Sequence, residues 1–470
     1  MSLRLKPFPA TKDSGLPWLG KVPDSWRILR GKNVFRVINI RSQTGAEELL
    51  TVSAVYGVVP RRQATVTMFK AESYVGHKLC WPGDLVINSL WAWMQGLGIA
   101  RHHGLISSAY SVYRPQPAFA EYANYFHYAL RSDAYKWELQ TRSKGVWLSR
   151  LQLSDPAFLD MPIILPPPCE VTAIVRYLDQ ADKRIRRFIA AKRRLIELLN
   201  EQKQAIIQKA VTRGLDPNVR LKPSGIDWLG DVPADWVTKP AKYFLREIDE
   251  RSSTGAEELL SVSHITGVSP RRQKNITMFM AESYVGHKVC RSGDLVINTM
   301  WAWMGALGVS KQTGIVSPSY AVYRPRDSCA FAPGFLDRLL RTTPYISEFT
   351  CRSTGIRSSR LRLYPEEFLK IPLIQPSKED QDRIVDTIEG QTHELDTAIS
   401  RTNREIELIH EYRTRLIAEV VTGKLDVRGV ELPPLEEAEE LPAVGDEALD
   451  EPGEEETELE PVEEVADAAE

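Results

Sequence analysis

One register, an offset of 210 residues, runs through almost the whole sequence. Residues 41–99 and 251–309 align without a gap, and roughly two-thirds of the positions are identical. The match extends outward. Ser14-Gly15-Leu16-Pro17-Trp18-Leu19-Gly20 returns as Ser224-Gly225-Ile226-Asp227-Trp228-Leu229-Gly230, and Trp26 returns as Trp236. Val211-Thr212 and Leu215-Asp216 return as Val421-Thr422 and Leu425-Asp426. A chain that keeps one register from Ser14 to Asp426 contains two copies of one fold and can present the same surface twice. That arrangement suits an object with two-fold symmetry, such as duplex DNA.

Each copy has two parts. The first, residues 14–165 and 224–375, mixes short strands, turns and some helix, and reads as a compact α/β (α+β) domain. Leu85 to Asn88 after Pro82-Gly83-Asp84 predicts a strand leaving a turn, and Phe119 to Tyr135 has helical spacing. The second part, Glu170 to Val211, holds no Pro or Gly. Apolar residues recur there at Val171, Ile174, Leu178, Ala181, Ile185, Phe188, Leu195, Leu199 and Ile206. Asp380 to Val421 repeats the pattern at Ile384, Ile388, Leu395, Ala398, Ile409 and Leu416. A helix of about 40 residues spans about 60 Å, too long to bury its stripe on one domain. The economical packing is helix on helix, as an antiparallel intramolecular coiled coil.

The charge is unevenly placed. The whole chain carries 60 Lys+Arg against 62 Asp+Glu, yet residues 431–470 hold 18 acidic side chains and no basic one. Residues 1–430 therefore carry about +16, enough to attract nucleic acid. The acidic tail is poor in aromatic residues and reads as disordered. The five cysteines form no CxxC pair, so buried free thiols are expected at Cys80 and Cys290. No apolar run of about 20 residues and no signal-peptide pattern is seen, which places the protein in the cytoplasm.

The usual catalytic signatures are missing. There is no GxxxxGK[ST] loop, GxGxxG, HExxH or GxSxG. His102-His103 is matched in the second copy by Gln312-Thr313, which argues for a surface or groove feature over a metal site. Glu201-Gln202-Lys203 has an ExK form but reads as a solvated helix face.

These parts assemble into a known layout. An SGxxWLGxVPxxW motif opens each copy. Thr141-Arg142-Ser143-Lys144-Gly145 and Cys351-Arg352-Ser353-Thr354-Gly355 come near the end of each domain. Proline hinges follow, Met161-Pro162-Ile163-Ile164-Leu165-Pro166 and Ile371-Pro372-Leu373-Ile374-Gln375-Pro376. Each long helix then ends in Ala210-Val211-Thr212 or Val420-Val421-Thr422-Gly423-Lys424-Leu425. Over residues 14–426 the chain closely resembles the DNA specificity subunit of type I restriction-modification enzymes. Glu170-Val171 and Asp380-Gln381 depart from the Glu-Gln associated with the start of the helix in that family.

The resemblance implies two tandem, pseudo-two-fold-related target-recognition domains, at 1–165 and 217–375. Spacer helices at 166–216 and 376–426 would join them as an intramolecular pseudo-dimer, followed by the tail at 427–470. It implies a non-catalytic chain that reads a bipartite site on double-stranded DNA and binds no cofactor. Two methylation subunits and the restriction/translocation subunits would be its partners, with S-adenosylmethionine, ATP and magnesium bound there. No membrane is involved. A stand-alone DNA-acting enzyme with an unrecognised site and a coiled-coil scaffold that binds only proteins remain the alternatives.

Candidate DNA contacts are the basic residues repeated or charge-matched between copies. Arg61, Arg62, Arg271 and Arg272 follow prolines in expected turns, and arginine suits guanine edges and phosphates. His77, Lys78, His287 and Lys288 follow glycines. Arg101 and Lys311 keep one charge at one position. Lys144, Arg150, Arg357 and Arg360 lie in polar, basic loops ahead of the proline hinges. Trp91-Ala92-Trp93-Met94 and its copy read as core or groove wall. Positions that differ could make the two half-sites differ: Ala54, Tyr56, Lys70 and Trp81 against His264, Thr266, Met280 and Arg291.

Overall fold

The computed structural model describes residues 5–54, 56–63, 73–145, 151–273, 283–327, 329–355 and 361–430. Lys70, Met280, Arg150, Arg357, Arg360 and residues 431–470 lie outside the described residues, whereas the start expected for the disordered tail packs on the first core, with Val427 buried. The chain divides into two compact units, Met1–Arg193 with Asn403–Glu470, and Arg194–Thr402. Each unit therefore contains one α/β domain, the beginning of the helix that follows it and the end of the other helix.

In the first unit an antiparallel sheet carries strands in the order Phe35–Ile38, Tyr110–Pro115, Leu85–Asn88, Leu97–Ile99. The expected strand Leu85–Asn88 lies inside this sheet, which explains its unbroken apolar run. Leu85 and Ile87 enter the main core beside Phe35, Tyr113, Phe126 and Phe158. Val86, pointing the other way, joins Leu50, Val58, Cys80, Ile106 and Val112 in a smaller cluster. Both sheet faces are thus covered, and each fully buried side chain of this size contributes about 1.5–3 kcal/mol. The second unit repeats the order with Leu245–Ile248, Ala321–Pro325, Leu295–Ile297 and Leu307–Val309. The helical stretch expected over Phe119 to Tyr135 is broken into a 3-10 turn at Pro117–Tyr122 and helices at Ala123–Ala129 and Asp133–Arg142. Cys80 and Cys290 are free and buried. Loss of solvent pushes their thiols up to about 12 and about 11.

The long helices are Pro168–Arg213 and Lys378–Val421, and neither is long and apolar enough to cross a membrane. Proline sits at the start of the first, where its missing N–H costs nothing. At the second, Ser377 Oγ accepts from Asp380 N at 3.1 Å and donates to the Asp380 carboxylate at 2.7 Å, a reciprocal cap. Gly423 ends it in a left-handed conformation, φ 73°. A Cβ there would stand 2.3 Å from Pro23 Cδ, so only glycine lets this end reach the domain.

The apolar stripe needs correcting. Val171, Ile174 and Leu178 enter the domain core, but Phe188 and Leu195 are 49% and 41% exposed. Ile189 is buried instead. An α-helix drifts about 20° per heptad from a strict 3.5-residue stripe, so by the third heptad the inward position has moved one residue along. Phe188 instead lines an open apolar groove of about 490 Å³ with Ile185, Leu408, Ile409 and Tyr412. Between the helices of the first unit, Asp182 pairs with Arg413 at 2.6 Å and Lys192 with Glu405 at 2.7 Å. In the second unit Lys203 pairs with Asp396 at 2.5 Å. Of the ExK residues, Glu201 and Gln202 are exposed as expected, whereas Lys203 faces the neighbouring helix.

The departures at the helix starts have distinct structural roles. Glu170, buried, accepts from the indole N–H of fully buried Trp26 at 2.7 Å and from Arg428 at 3.4 Å. In the second unit Gln381, fully buried, accepts from Ala332 N at 2.7 Å and donates to the carbonyls of Ala330 and Pro376, both at 3.1 Å. Each copy keeps one half of the Glu-Gln pair and uses it to fasten helix to domain.

A partly buried pair holds the hairpin Leu50–Ser53/Gly57–Pro60 in the first unit. Arg131 donates to His127 Nε2 at 3.0 Å and to the Ala54 carbonyl at 2.5 Å. Gly57, at φ 77°, passes so close that a Cβ would lie 2.8 Å from the imidazole. Loss of solvent, then Arg131, Arg101, Arg186 and Arg413, hold His127 well below the ordinary histidine range. The second unit replaces His127 by Asp337, 3.8 Å from Arg341, whose guanidinium holds the carbonyls of His264 and Ile265.

Two outcomes follow from these anchors. Gln381→Ala removes the partner of Ala332 N and of the Pro376 carbonyl, while Gln375 still donates to Ala330 at 2.7 Å, and is expected to destabilise the second unit by about 2 kcal/mol, read from urea unfolding. His127 stays neutral when folded, while the unfolded chain takes up a proton below about pH 6.5. Stability contributed by this group is therefore present above that pH and is lost as pH falls, by about 1.4 kcal/mol per unit. Urea unfolding of the full chain between pH 7.5 and 5 should show a shallower pH dependence for His127→Gln; equal slopes would remove this role.

Candidate nucleic-acid interface

The same frame stands in both units. After Arg41 a tight turn is closed by Ser42, whose Oγ accepts from Gly45 N at 2.8 Å and donates to Glu47 at 2.6 Å. Ser252 does the same with Gly255 at 2.7 Å and Glu257 at 2.6 Å. These serine hydrogen bonds hold the Glu47 and Glu257 carboxyls below the usual carboxylate range. Arg41 and Arg251 each reach across to a glycine carbonyl, Gly76 at 2.9 Å and Gly286 at 3.2 Å. Beneath this, Asp84 and Asp294, both 1% exposed, receive two hydrogen bonds each from Arg114 and Arg324. These fork-on-carboxylate pairs fix the sheet edge that carries the surface above it.

On that frame the hairpin places its arginine turn. Arg61–Gln63 and Arg271–Gln273 are single 3-10 turns directly after the strands Gly57–Pro60 and Gly267–Pro270. Arg61 N and Arg271 N bond to the carbonyls of Leu49 and Leu259, at 2.9 and 3.0 Å. Arg62 pairs with Glu48 at 3.0 Å and Arg272 with Glu258 at 2.8 Å, and each arginine side chain is still 76% exposed. An ion pair this exposed is worth about 1 kcal/mol or less. Its carboxylate orients the guanidinium, which stays available to a phosphate or base edge.

The other sequence candidates fall at several places. His77 packs edge-on to Tyr74 at 5.2 Å, as His287 does to Tyr284. Lys78 bonds to the Tyr110 carbonyl, and burial, then the charge of Arg41, pulls its ammonium below the ordinary lysine range against the opposing pull of Asp155. Lys288 is buried and sits 3.6 Å from Asp249. These two lysines are anchored inside the turn. Arg101, Lys144 and Lys311 are exposed, and Lys144 pairs through its backbone with Gln152 at the mouth of a loop. Trp91 is 52% exposed while Ala92 is buried, so this segment forms a wall, and in the second unit Trp301 and Trp303 stack at 6.0 Å.

Among the differing positions, Tyr56 lies under Arg186 of the first long helix at 5.7 Å. Thr266 caps its own turn through Ser263 at 3.0 Å, and His264 is exposed beside it. Trp81 stacks with His103 at 4.7 Å, with Arg114 5.3 Å from the indole. Arg291 instead bonds to Glu250 at 2.8 Å. Sequence reasoning missed Glu250 and its counterpart Ile40 because they lie 41 residues from Arg291 and Trp81, just beyond the strands Leu245–Ile248 and Phe35–Ile38. The signal available was an apolar-to-acidic change paired with an aromatic-to-basic one. Among the described residues, no three His, Cys, Asp or Glu side chains gather as a metal-binding group.

No family model and no curated protein matches the chain. Solved structures do. A chain from the work titled "Structural basis underlying complex assembly and conformational transition of the type I R-M system" superposes with a TM-score of 0.57 at 16% identity, covering 86% of this chain and 99% of that one. The HsdS subunit from Thermoanaerobacter tengcongensis gives 0.40 at 17% identity, over 87% and 98% of the two chains. The type I restriction-modification S subunit from M. genitalium gives 0.31 at 12% identity, over 84% and 96%. The first of these likenesses spans nearly the whole of its chain, and this protein shares the fold of that chain from a type I R-M system.

Proposed function

We propose that this chain is the DNA-binding specificity subunit of a type I restriction-modification complex, recognising a bipartite target and directing adenine methylation and restriction by partner subunits. One observation carries the reading: each unit presents the same oriented, exposed arginine, Arg62 or Arg272, on the same turn of the same frame. Two such surfaces on a basic body of about +16 suit two half-sites on one duplex. The long helices act as the spacer, an antiparallel coiled coil, and the ion pairs Asp182–Arg413, Lys192–Glu405 and Lys203–Asp396 support that direction. Catalysis belongs to two methylation subunits and the restriction/translocation subunits, with S-adenosylmethionine, ATP and magnesium bound there. The chain works in the cytoplasm, where DNA and those partners meet. High identity between the copies makes the two half-sites similar and inverted, a near-palindromic target.

Mapping methylated adenines across the host genome is expected to give a split motif with two similar, inverted halves, and two unrelated halves would sink the near-palindrome. The purified chain with DNA and magnesium should leave the DNA uncut. Replacing Arg62 and Arg272 together by Ala should weaken binding and, if both meet phosphates, reduce the slope of log affinity against log salt by about two.

A further inference from the structure

Four neighbouring positions of the frame change together between the copies. The first unit has Asn39, Ile40, Trp81 and His103; the second has Asp249, Glu250, Arg291 and Thr313. In the first unit the indole of Trp81 meets the His103 imidazole at 4.7 Å, and Ile40, bonded through its carbonyl to Leu79 N, is 46% exposed. In the second unit Arg291 donates through Nη2 to both Glu250 oxygens, at 2.8 and 3.1 Å, with its side chain 57% exposed. Glu250 also stands 3.7 Å from Arg324, and Asp249 receives Arg251 at 3.0 Å and Lys288 at 3.6 Å.

These changes are chemically linked. Arg114, the counterpart of Arg324, lies 5.3 Å from the centre of the Trp81 ring. An arginine put in place of that ring would face a like charge, and a carboxylate at position 40 removes the conflict. The same backbone thus carries an indole–imidazole face in one unit and a tethered guanidinium in the other. Both faces adjoin the shared arginine turn: Glu258, the partner of Arg272, also receives Gln312 at 3.0 Å, next to Thr313.

Building on the DNA-specificity reading, we infer that this cluster sets the difference between the two half-sites. Glu250 tethers the guanidinium through Nη2, and Nη1 is left to donate to an O6 or N7 acceptor of a guanine. The Trp81–His103 face presents aromatic rings where the other unit presents that guanidinium, and it suits a thymine methyl through apolar contact. The second half-site then carries a G·C pair at one position where the first carries A·T.

The test assembles the full chain with its methylation subunits and selects bound duplexes from a random-sequence pool. Two reciprocal variants are compared with the wild type. One carries Asn39→Asp, Ile40→Glu, Trp81→Arg and His103→Thr; the other carries Asp249→Asn, Glu250→Ile, Arg291→Trp and Thr313→His. Each transplants residues already accommodated by the matching unit, and if one does not fold the other still decides. The wild type should select two half-sites differing at that pair, and each variant should shift the preference there about tenfold or more, making the halves alike. An unchanged motif from a folded variant, or changes scattered over both halves, overturns the inference while leaving the specificity role intact. A wild-type complex that selects no split motif overturns the specificity role itself.

Discussion

The final turn of each long helix is buried in an α/β domain, and the rest of the architecture depends on that burial. In the first unit Leu416, Val420 and Val421, from the end of the second helix, join Trp26, Tyr125 and Phe126 in one core. The Tyr125 hydroxyl donates to the Val421 carbonyl at 3.1 Å, and Lys6 pairs through its backbone with Asp426. In the second unit Ala210 and Val211, from the end of the first helix, pack with Trp236 and Phe335. The second unit is one uninterrupted stretch, Arg194–Thr402, whereas the first core is completed only by residues after Asn403. The first unit therefore cannot be one uninterrupted piece of chain, because its core needs a helix end that follows the whole second domain in the sequence.

Along the helices the packing is governed by charge as much as by apolar contact. Asp182, Lys192 and Lys203 sit among partly buried apolar positions and pair with Arg413, Glu405 and Asp396. Partly buried pairs of this kind add little net stability, since desolvation offsets much of the attraction. A slip by one turn, however, would leave the charges unpaired at a cost of several kcal/mol. The pairs therefore act on the register of one helix against the other. The cores at the helix ends supply the stability that the charged middle does not.

Repetition made much of this legible in the sequence. The 210-residue offset located both domains and both helices, and the apolar run Leu85 to Ile87 located a strand covered on both faces. The helix seam was only half readable. Phe188 fits a 3.5-residue stripe yet is exposed, because the first turns answer to a domain and the later ones to another helix, and a single period cannot describe both surfaces. Glu170-Val171 and Asp380-Gln381 each depart from one motif by one residue, and Glu170 and Gln381 are the halves retained. Only three-dimensional contacts show that Trp26 calls for an acceptor in one copy, while the Ala330 and Ala332 backbone calls for an amide in the other. At the candidate interface the basic residues were visible, but not which are committed inward. Lys78 and Lys288 have the same composition signal as Arg62 and Arg272, and only burial separates them.

The two copies also show where such a surface is free to change. Asp84 and Asp294 lie almost fully buried under forked arginines, and removing one partner of a buried pair costs about 3–5 kcal/mol. Ser42 and Ser252 hold turns through three hydrogen bonds each, and that geometry is identical in kind across the copies. Outside this frame Trp81 and Arg291 occupy one position with opposite chemistry, and the adjustment needed is confined to neighbours that are themselves exposed, Ile40 against Glu250 and His103 against Thr313. Substitutions on that outer layer alter the chemistry the surface presents without disturbing the buried carboxylates that position it. A fold whose expensive interactions lie one layer beneath its outer surface can keep its shape while its two faces diverge.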